Sequence, residues 1–255
     1  SKLPAEGRLQ AGLHVLGAPA QALDSRVVEI RSAAQLLLQN LHASQTTGAH
    51  LLPVEQPAES QIERLIREIS APVPDAKKEI FTRLITESLR LLANHEEKQA
   101  LRTLERALEI SPENVRLLLF IAETRFQTDK SESAKIYLET VLQIEPPNRK
   151  AKLLLALILA DGLELKRAKK YLLELVSEND FGFVVNYILG LISALEADWK
   201  TSLEHFKQTL SFLDIPENHY LIGCAYFQLN KLKSASRHLQ KAVETDTNFA
   251  DAWFM

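Results

Sequence analysis

Alanine returns at a fixed interval through the middle of the chain, at Ala100, Ala134 and Ala168, and Ser202 and Ala235 continue the series at steps of 34 and 33. Around each of these positions apolar residues recur at helical spacing, so the repeating object is a pair of amphipathic helices. A period of this length specifies stacked helical hairpins, each burying its apolar face against the next, rather than a domain with one central core. Function in such an array is expected on its long surfaces, and a catalytic pocket is not expected.

The helix breakers agree with this frame. Of 8 glycines, Gly7, Gly12 and Gly17 lie at the start of the chain, and of 10 prolines six precede residue 75. The other four, Pro112, Pro146, Pro147 and Pro216, fall where one unit meets the next, leaving every expected helix interior beyond 75 free of proline. Units run 81–114, 115–148, 149–182, 183–215 and 216–249, and a sixth begins at Ala250. Each reads as helix A, a short turn and helix B. In the first unit Leu84, Leu91, Ala100, Leu104 and Ala107 carry the pattern, with Pro112 closing it. In the second the equivalents are Leu118, Ile121, Ala122, Ala134, Leu138 and Val141. Close approach of A and B requires small residues at the contact, supplied by Ala122, Ala156, Gly190 and Gly223, while large neighbours fill the grooves between ridges.

Residues 1–80 lie outside the repeat. Residues 1–24 read as an arm rich in Ala, Gly and Pro. Ser25 can cap a helix over about 26–42 with Val27, Ile30, Ala34, Leu37, Leu38 and Leu41 on one face. A linker follows, and Pro57 opens a second short helix to about Ser70, with Ile62, Leu65, Ile66 and Ile69 on one side. Ala71-Pro72-Val73-Pro74 breaks it, and the next helix runs from Asp75 straight into the first unit.

The pattern resembles the tetratricopeptide repeat family over about 81–255. The fifth unit carries it best, in Ile222-Gly223, Tyr226, Ala235, Leu239 and Ala242, and Trp253 stands at the family's tryptophan position in the sixth. Departures are Glu87-Ser88 for Leu-Gly, Arg125 and Ser193 for Tyr, and Asp180, Asp214 and Thr247 for Pro. The resemblance implies an all-α, right-handed α-solenoid with a helical N-terminal extension. It also implies a non-catalytic scaffold, adaptor or assembly subunit whose A helices line a concave groove. Partner binding then falls to Ile85, Leu89, Leu119, Glu123, Phe126, Lys150, Leu153, Leu157, Tyr187, Leu191, Tyr220 and Phe227. These positions are unusually apolar for an open surface, and the stretches 152–160 and 187–195 are hydrophobic all round, which implies burial on every side. An amphipathic segment removing about 500 Å² of apolar surface would gain about 12 kcal/mol before association costs. The expected occupant is an apolar or amphipathic segment of a partner protein, or this chain's own helix 26–42 held by its tether; tight curvature burying these positions between neighbouring A helices is the plainer alternative. The carboxylate clamp of chaperone-binding relatives is disfavoured, because Ile85, Leu89, Glu123 and Leu154 stand where cations and amides are needed and Lys150 alone matches.

Other chemistry is thinly represented. The net charge of −3 gives no long-range attraction to nucleic acid or to an anionic membrane. The longest apolar run, residues 153–160, is too short to span a bilayer. The stretch after Lys2 and Arg8 is too weakly apolar for a secretory signal. A lone Cys224 excludes an internal disulfide and fits a reducing, cytoplasmic compartment. The third unit is locally basic, with Arg149, Lys150, Lys152, Lys166, Arg167, Lys169 and Lys170, but acids are interspersed and a solvated helix face accounts for it. The seven histidines show no metal-ligand spacing on a shared helix, and no phosphate-binding glycine loop is present. No catalytic residue, cofactor or metal is expected. The series breaks off partway into a helix A at Trp253-Phe254-Met255, from which a longer natural chain is expected, with an enzyme's accessory repeat domain as an alternative reading.

Overall fold

The computed structural model describes residues 61–127, 131–176 and 181–245. Among them are eleven α-helices and no strand. The chain forms two compact units, one ending at Ile158 and the other taking up at Leu159. The expected helix 26–42 and the sixth repeat with Trp253 lie outside the described residues.

In the N-terminal unit, α1 (Gln61–Ser70) is followed by the pairs α2 (Asp75–Ala93) with α3 (Glu97–Ile110) and α4 (Val115–Gln127) with α5 (Ser131–Ile144); α6 (Arg149–Asp161) carries the chain onward. Pro72 and Pro74 end α1, and Pro74 precedes the first turn of α2, where Asp75 complements the helix dipole. Helix α2 buries Phe81, Ile85, Ser88 and Leu91, one face at three- and four-residue steps. Ser88, where the family prefers glycine, keeps its buried hydroxyl satisfied by donating to the Ile85 carbonyl at 2.7 Å. Helix α1 packs against both α2 and α4.

In the C-terminal unit, α7 (Leu165–Leu175) packs on α8 (Gly182–Leu195), which pairs with α9 (Trp199–Phe212); α9 packs on α10 (Pro216–Gln228), which pairs with α11 (Leu232–Thr245). Small residues sit where they are needed. Ala100, Ala134, Ala168 and Ala235 are all buried, and a Cβ at Gly223 would come within 2.7 Å of Leu239 Cγ. Of the stretches 152–160 and 187–195 expected to be enclosed, 153–160 and 188–194 are buried throughout, while Lys152, Tyr187 and Leu195 at their ends are half-buried.

The turn from A to B is a feature the composition conceals. His95, Leu163, Ala197 and Asn230 each have φ near +60°, at the same place in four hairpins. In each, the following amide reaches back five residues, Glu96 to Leu91, Glu164 to Leu159, Asp198 to Ser193 and Lys231 to Tyr226, at 2.8–2.9 Å. The left-handed residue itself bonds three back. This is the Schellman arrangement, which satisfies the last carbonyls of helix A and usually employs glycine. Non-glycine residues hold the strained conformation because those carbonyls would otherwise be orphaned. Leu163 is exposed and gains little from its side chain. Leu163→Gly is therefore expected to raise stability by about 1 kcal/mol, the left-handed penalty exceeding glycine's entropic cost, as a higher thermal midpoint will report.

Candidate partner-binding site

In the N-terminal unit one apolar cluster joins Ile69 and Val73 from α1 and the segment after it with Phe81 and Ile85 of α2, Leu101, Leu104 and Ala107 of α3, and Leu117 and Ile121 of α4. Leu65, Ile66, Leu89 and Phe120 pack at its margin. The contact is directional as well as apolar. Asn114, buried just before α4, accepts from Leu117 N at 3.1 Å through Oδ1 and donates from Nδ2 to the Ile69 carbonyl at 2.8 Å. One side chain thus caps the start of α4 and the end of α1. Arg116 donates to Glu68 at 2.5 Å beside it, and Thr82 Oγ1 meets Ser70 Oγ at 3.3 Å. A helix lying on the A helices of the first two hairpins is what this face accommodates.

Two charged contacts brace the same unit. Lys150 pairs with the mostly buried Glu123 at 2.5 Å, joining α6 to α4. Arg125, standing where the family prefers tyrosine, reaches Glu105 on α3 and lies 5.3 Å over the Tyr137 ring of α5. A delocalised guanidinium replaces the aromatic ring and gains an ion pair and a cation–π contact.

In the C-terminal unit Tyr187 is half-buried on α8, its ring centroid 6.0 Å from Phe183 and 6.3 Å from Phe206. His205 on α9 donates from Nδ1 to Asn186 Oδ1 at 2.9 Å, and Asn186 donates on to the Gly182 carbonyl at 2.8 Å. Burial holds the His205 imidazole below its ordinary range, in keeping with a neutral donor.

The twelve residues assigned from the sequence divide sharply. Leu89, Leu119, Lys150 and Tyr187 are half-buried and Phe227 is 40% exposed. Ile85, Glu123, Phe126, Leu153, Leu157, Leu191 and Tyr220 are buried; for Leu153, Leu157 and Leu191 this follows the expected enclosure of their stretches, whereas an open groove lining fails at Ile85, Glu123, Phe126 and Tyr220. For Ile85 the reason is direct: α1 supplies Ile69 and Val73 to the same cluster. Glu123 is drawn in with the cation that neutralises it. Asn114 was missed as a site residue. Its capping role is legible in an asparagine just ahead of an apolar helix, but its second bond depends on α1, 45 positions away. Among the described residues no group of three histidine, cysteine or acidic side chains could hold a metal, and no helix is long and apolar enough to cross a membrane.

Comparison with known proteins agrees with this geometry. Residues 91–158 and 216–249 each match a tetratricopeptide repeat family profile. None of the curated proteins is significantly similar in sequence. Among solved structures, a crystal structure of MamA protein superposes with a TM-score of 0.61 at 20% identity, covering 68% of this chain and 94% of that one. A MamA fragment from Desulfovibrio magneticus superposes with a TM-score of 0.59 at 18% identity, covering 75% and 98%. Residues 91–158 and 216–249 are thus tetratricopeptide repeats, and the chain has the fold of an α-solenoid. Its repeats constitute a protein-interaction scaffold.

Proposed function

We propose that this protein is a non-catalytic adaptor or assembly subunit that captures an apolar or amphipathic segment of a partner protein along its A helices. The observation that carries this reading is α1: a helix of the chain itself lies against α2 and α4 with the Ile69 carbonyl near its end capped by Asn114. A surface that seats one amphipathic helix has the chemistry to seat another. Leu89 and Leu119 in the N-terminal unit, and Tyr187 and Phe227 in the C-terminal unit, are the assigned apolar residues with surface left to offer. The units 81–114 through 216–249 are the recognition modules in this reading, and a buried Cys224 is in keeping with a cytoplasmic setting.

The same helix favours a second reading, in which the chain occludes its own site. Here the occupant is α1, and the segment 26–42, expected from its sequence to be helical, is a further candidate. The test for capture is Leu119→Asp combined with Tyr187→Asp. Both side chains are half-buried, so the fold is retained, as a thermal melt checks. Proteins that co-purify with the native chain are expected to fall at least tenfold in the double variant; an unchanged set overturns the capture reading.

A further inference from the structure

Away from the candidate site, two imidazoles of the C-terminal unit meet directly. His219 on α10 and His238 on α11 bring their Nδ1 atoms to 2.9 Å, with ring centroids 5.1 Å apart. His219 Nε2 lies 2.7 Å from Asp214 Oδ1, in the connection that leads into α10. Asp214 Oδ2 accepts from Lys241 Nζ of α11 at 2.9 Å. Four side chains thus tie α10, α11 and the connection before them into one line. His219 is buried, and His238 is half-buried with its ring 5.6 Å from that of Tyr226.

Proton counting fixes what this line tolerates. An ionised carboxylate only accepts, so His219 Nε2 carries a hydrogen. The Nδ1 contact is a hydrogen bond only when one of the two nitrogens is protonated, so neutral His219 accepts there and His238 donates. His238 can take a second hydrogen on Nε2 without losing that bond. Once His219 is also protonated, two N–H groups face each other across 2.9 Å and the contact turns repulsive. The surroundings sharpen this. Lys207 faces His238 from α9, where it also lies over Tyr226, while Arg237 and Lys241 face it from its own helix and His219 from α10. Asp214 opposes them from the connection.

We propose that the Asp214–His219–His238 line is an acid-operated latch that closes the last hairpin at neutral pH and lets α10 part from α11 as the imidazole pair fills with protons. Burial and the neighbouring cations hold His238 below the ordinary imidazole range, so the folded state takes up its proton later than the unfolded chain. The stability this contributes is complete above pH of about 6.5 and is lost as pH falls through the folded value. His205 acts in the same direction. Asp214, whose carboxyl is held low by Lys241 and then His219, keeps its contribution until the pH drops below the ordinary carboxyl range. The two windows are separate, and the His238 window is the upper one. Helix α10 carries Tyr220 and Phe227, so an open latch would also alter partner capture there; that consequence rests on the proposed function, whereas the latch does not.

The test is amide hydrogen exchange on the full chain at pH 7.5 and 5.0, normalised for intrinsic exchange. Protection in α10 and α11 is expected to fall about tenfold more than in α2 and α3. In His238→Gln, whose carboxamide can still donate to His219 but does not titrate, most of that differential loss should vanish; an equal loss in both proteins overturns the latch. Imidazole nitrogen shifts of the native chain give an independent reading should the variant fold poorly. The latch requires His219 as the Nε2–H tautomer with an unprotonated Nδ1 at neutral pH, and an Nδ1–H tautomer of His219 at pH 7.5 would reject it.

Discussion

Truncating Phe206 to alanine should cost the C-terminal unit about 3–5 kcal/mol, the range for removing a large aromatic from a packed interior. The ring is 2% exposed and tilts against Tyr187, and it fills the space that Gly190 leaves on α8. A Cβ at 190 would stand 2.5 Å from Phe206 Cε1 and 2.6 Å from Cδ1, closer than any relaxed carbon pair. Gly190→Ala alone should therefore cost about 1–3 kcal/mol by overpacking. The informative protein is the double variant. With the ring gone, the new methyl enters the vacated space, so the combined loss should fall short of the sum by about 1–3 kcal/mol. Urea midpoints followed by circular dichroism give all four corners of the cycle. Strict additivity would mean that Gly190 is not there for the ring. The same variant removes the support behind Tyr187, so partner capture through that side chain should weaken together with stability.

Gly190 also illustrates what was legible beforehand, although its partner Phe206 was not singled out. A glycine at the contact of helix A and a bulky residue in helix B are both fixed by one requirement, the close approach of two helices at a constant period. A constraint that repeats every hairpin leaves a periodic trace, and Ala100, Ala134, Ala168 and Ala235 record it. Other constraints leave none. The left-handed turn residues are His95, Leu163, Ala197 and Asn230, four side chains with nothing in common, because the demand comes from backbone carbonyls rather than from the residue. Leu65, Ile66 and Ile69 announce an amphipathic helix, yet amphipathicity says only that one face is covered and not by what. Ile85 shows the consequence. The family frame places it on the lining of a groove, and it belongs to a closed cluster because α1 arrives from outside the repeat. Leu89 and Leu119 sit in the same helices and keep part of their surface, so residue type could not separate the occupied positions from the vacant ones.

Asn114→Asp should detach α1 while leaving α4 capped. The aspartate keeps the oxygen that accepts from Leu117 N, but it replaces the donor to the Ile69 carbonyl with a second acceptor. A buried carbonyl without a partner costs about 1–3 kcal/mol, and a facing carboxylate adds repulsion. The nearby Arg116–Glu68 pair is largely exposed and is worth at most about 1 kcal/mol, too little to hold the helix by itself. Asn114→Ala loses both bonds, the missing cap adding about 0.5–2 kcal/mol, so it should loosen the start of α4 as well as α1. The signature specific to aspartate is local: α1 amides exchange rapidly, α4 amides remain protected, and an apolar dye binds as Ile85 and Leu117 lose their cover. If self-occlusion is the purpose of α1, this variant should also capture partner more strongly than the native chain, opposite in sign to the effect of Leu119→Asp. Unchanged protection of α1 would mean that the apolar contacts of Ile69 and Val73 suffice to seat it, and that the Asn114 amide is not what keeps this face closed.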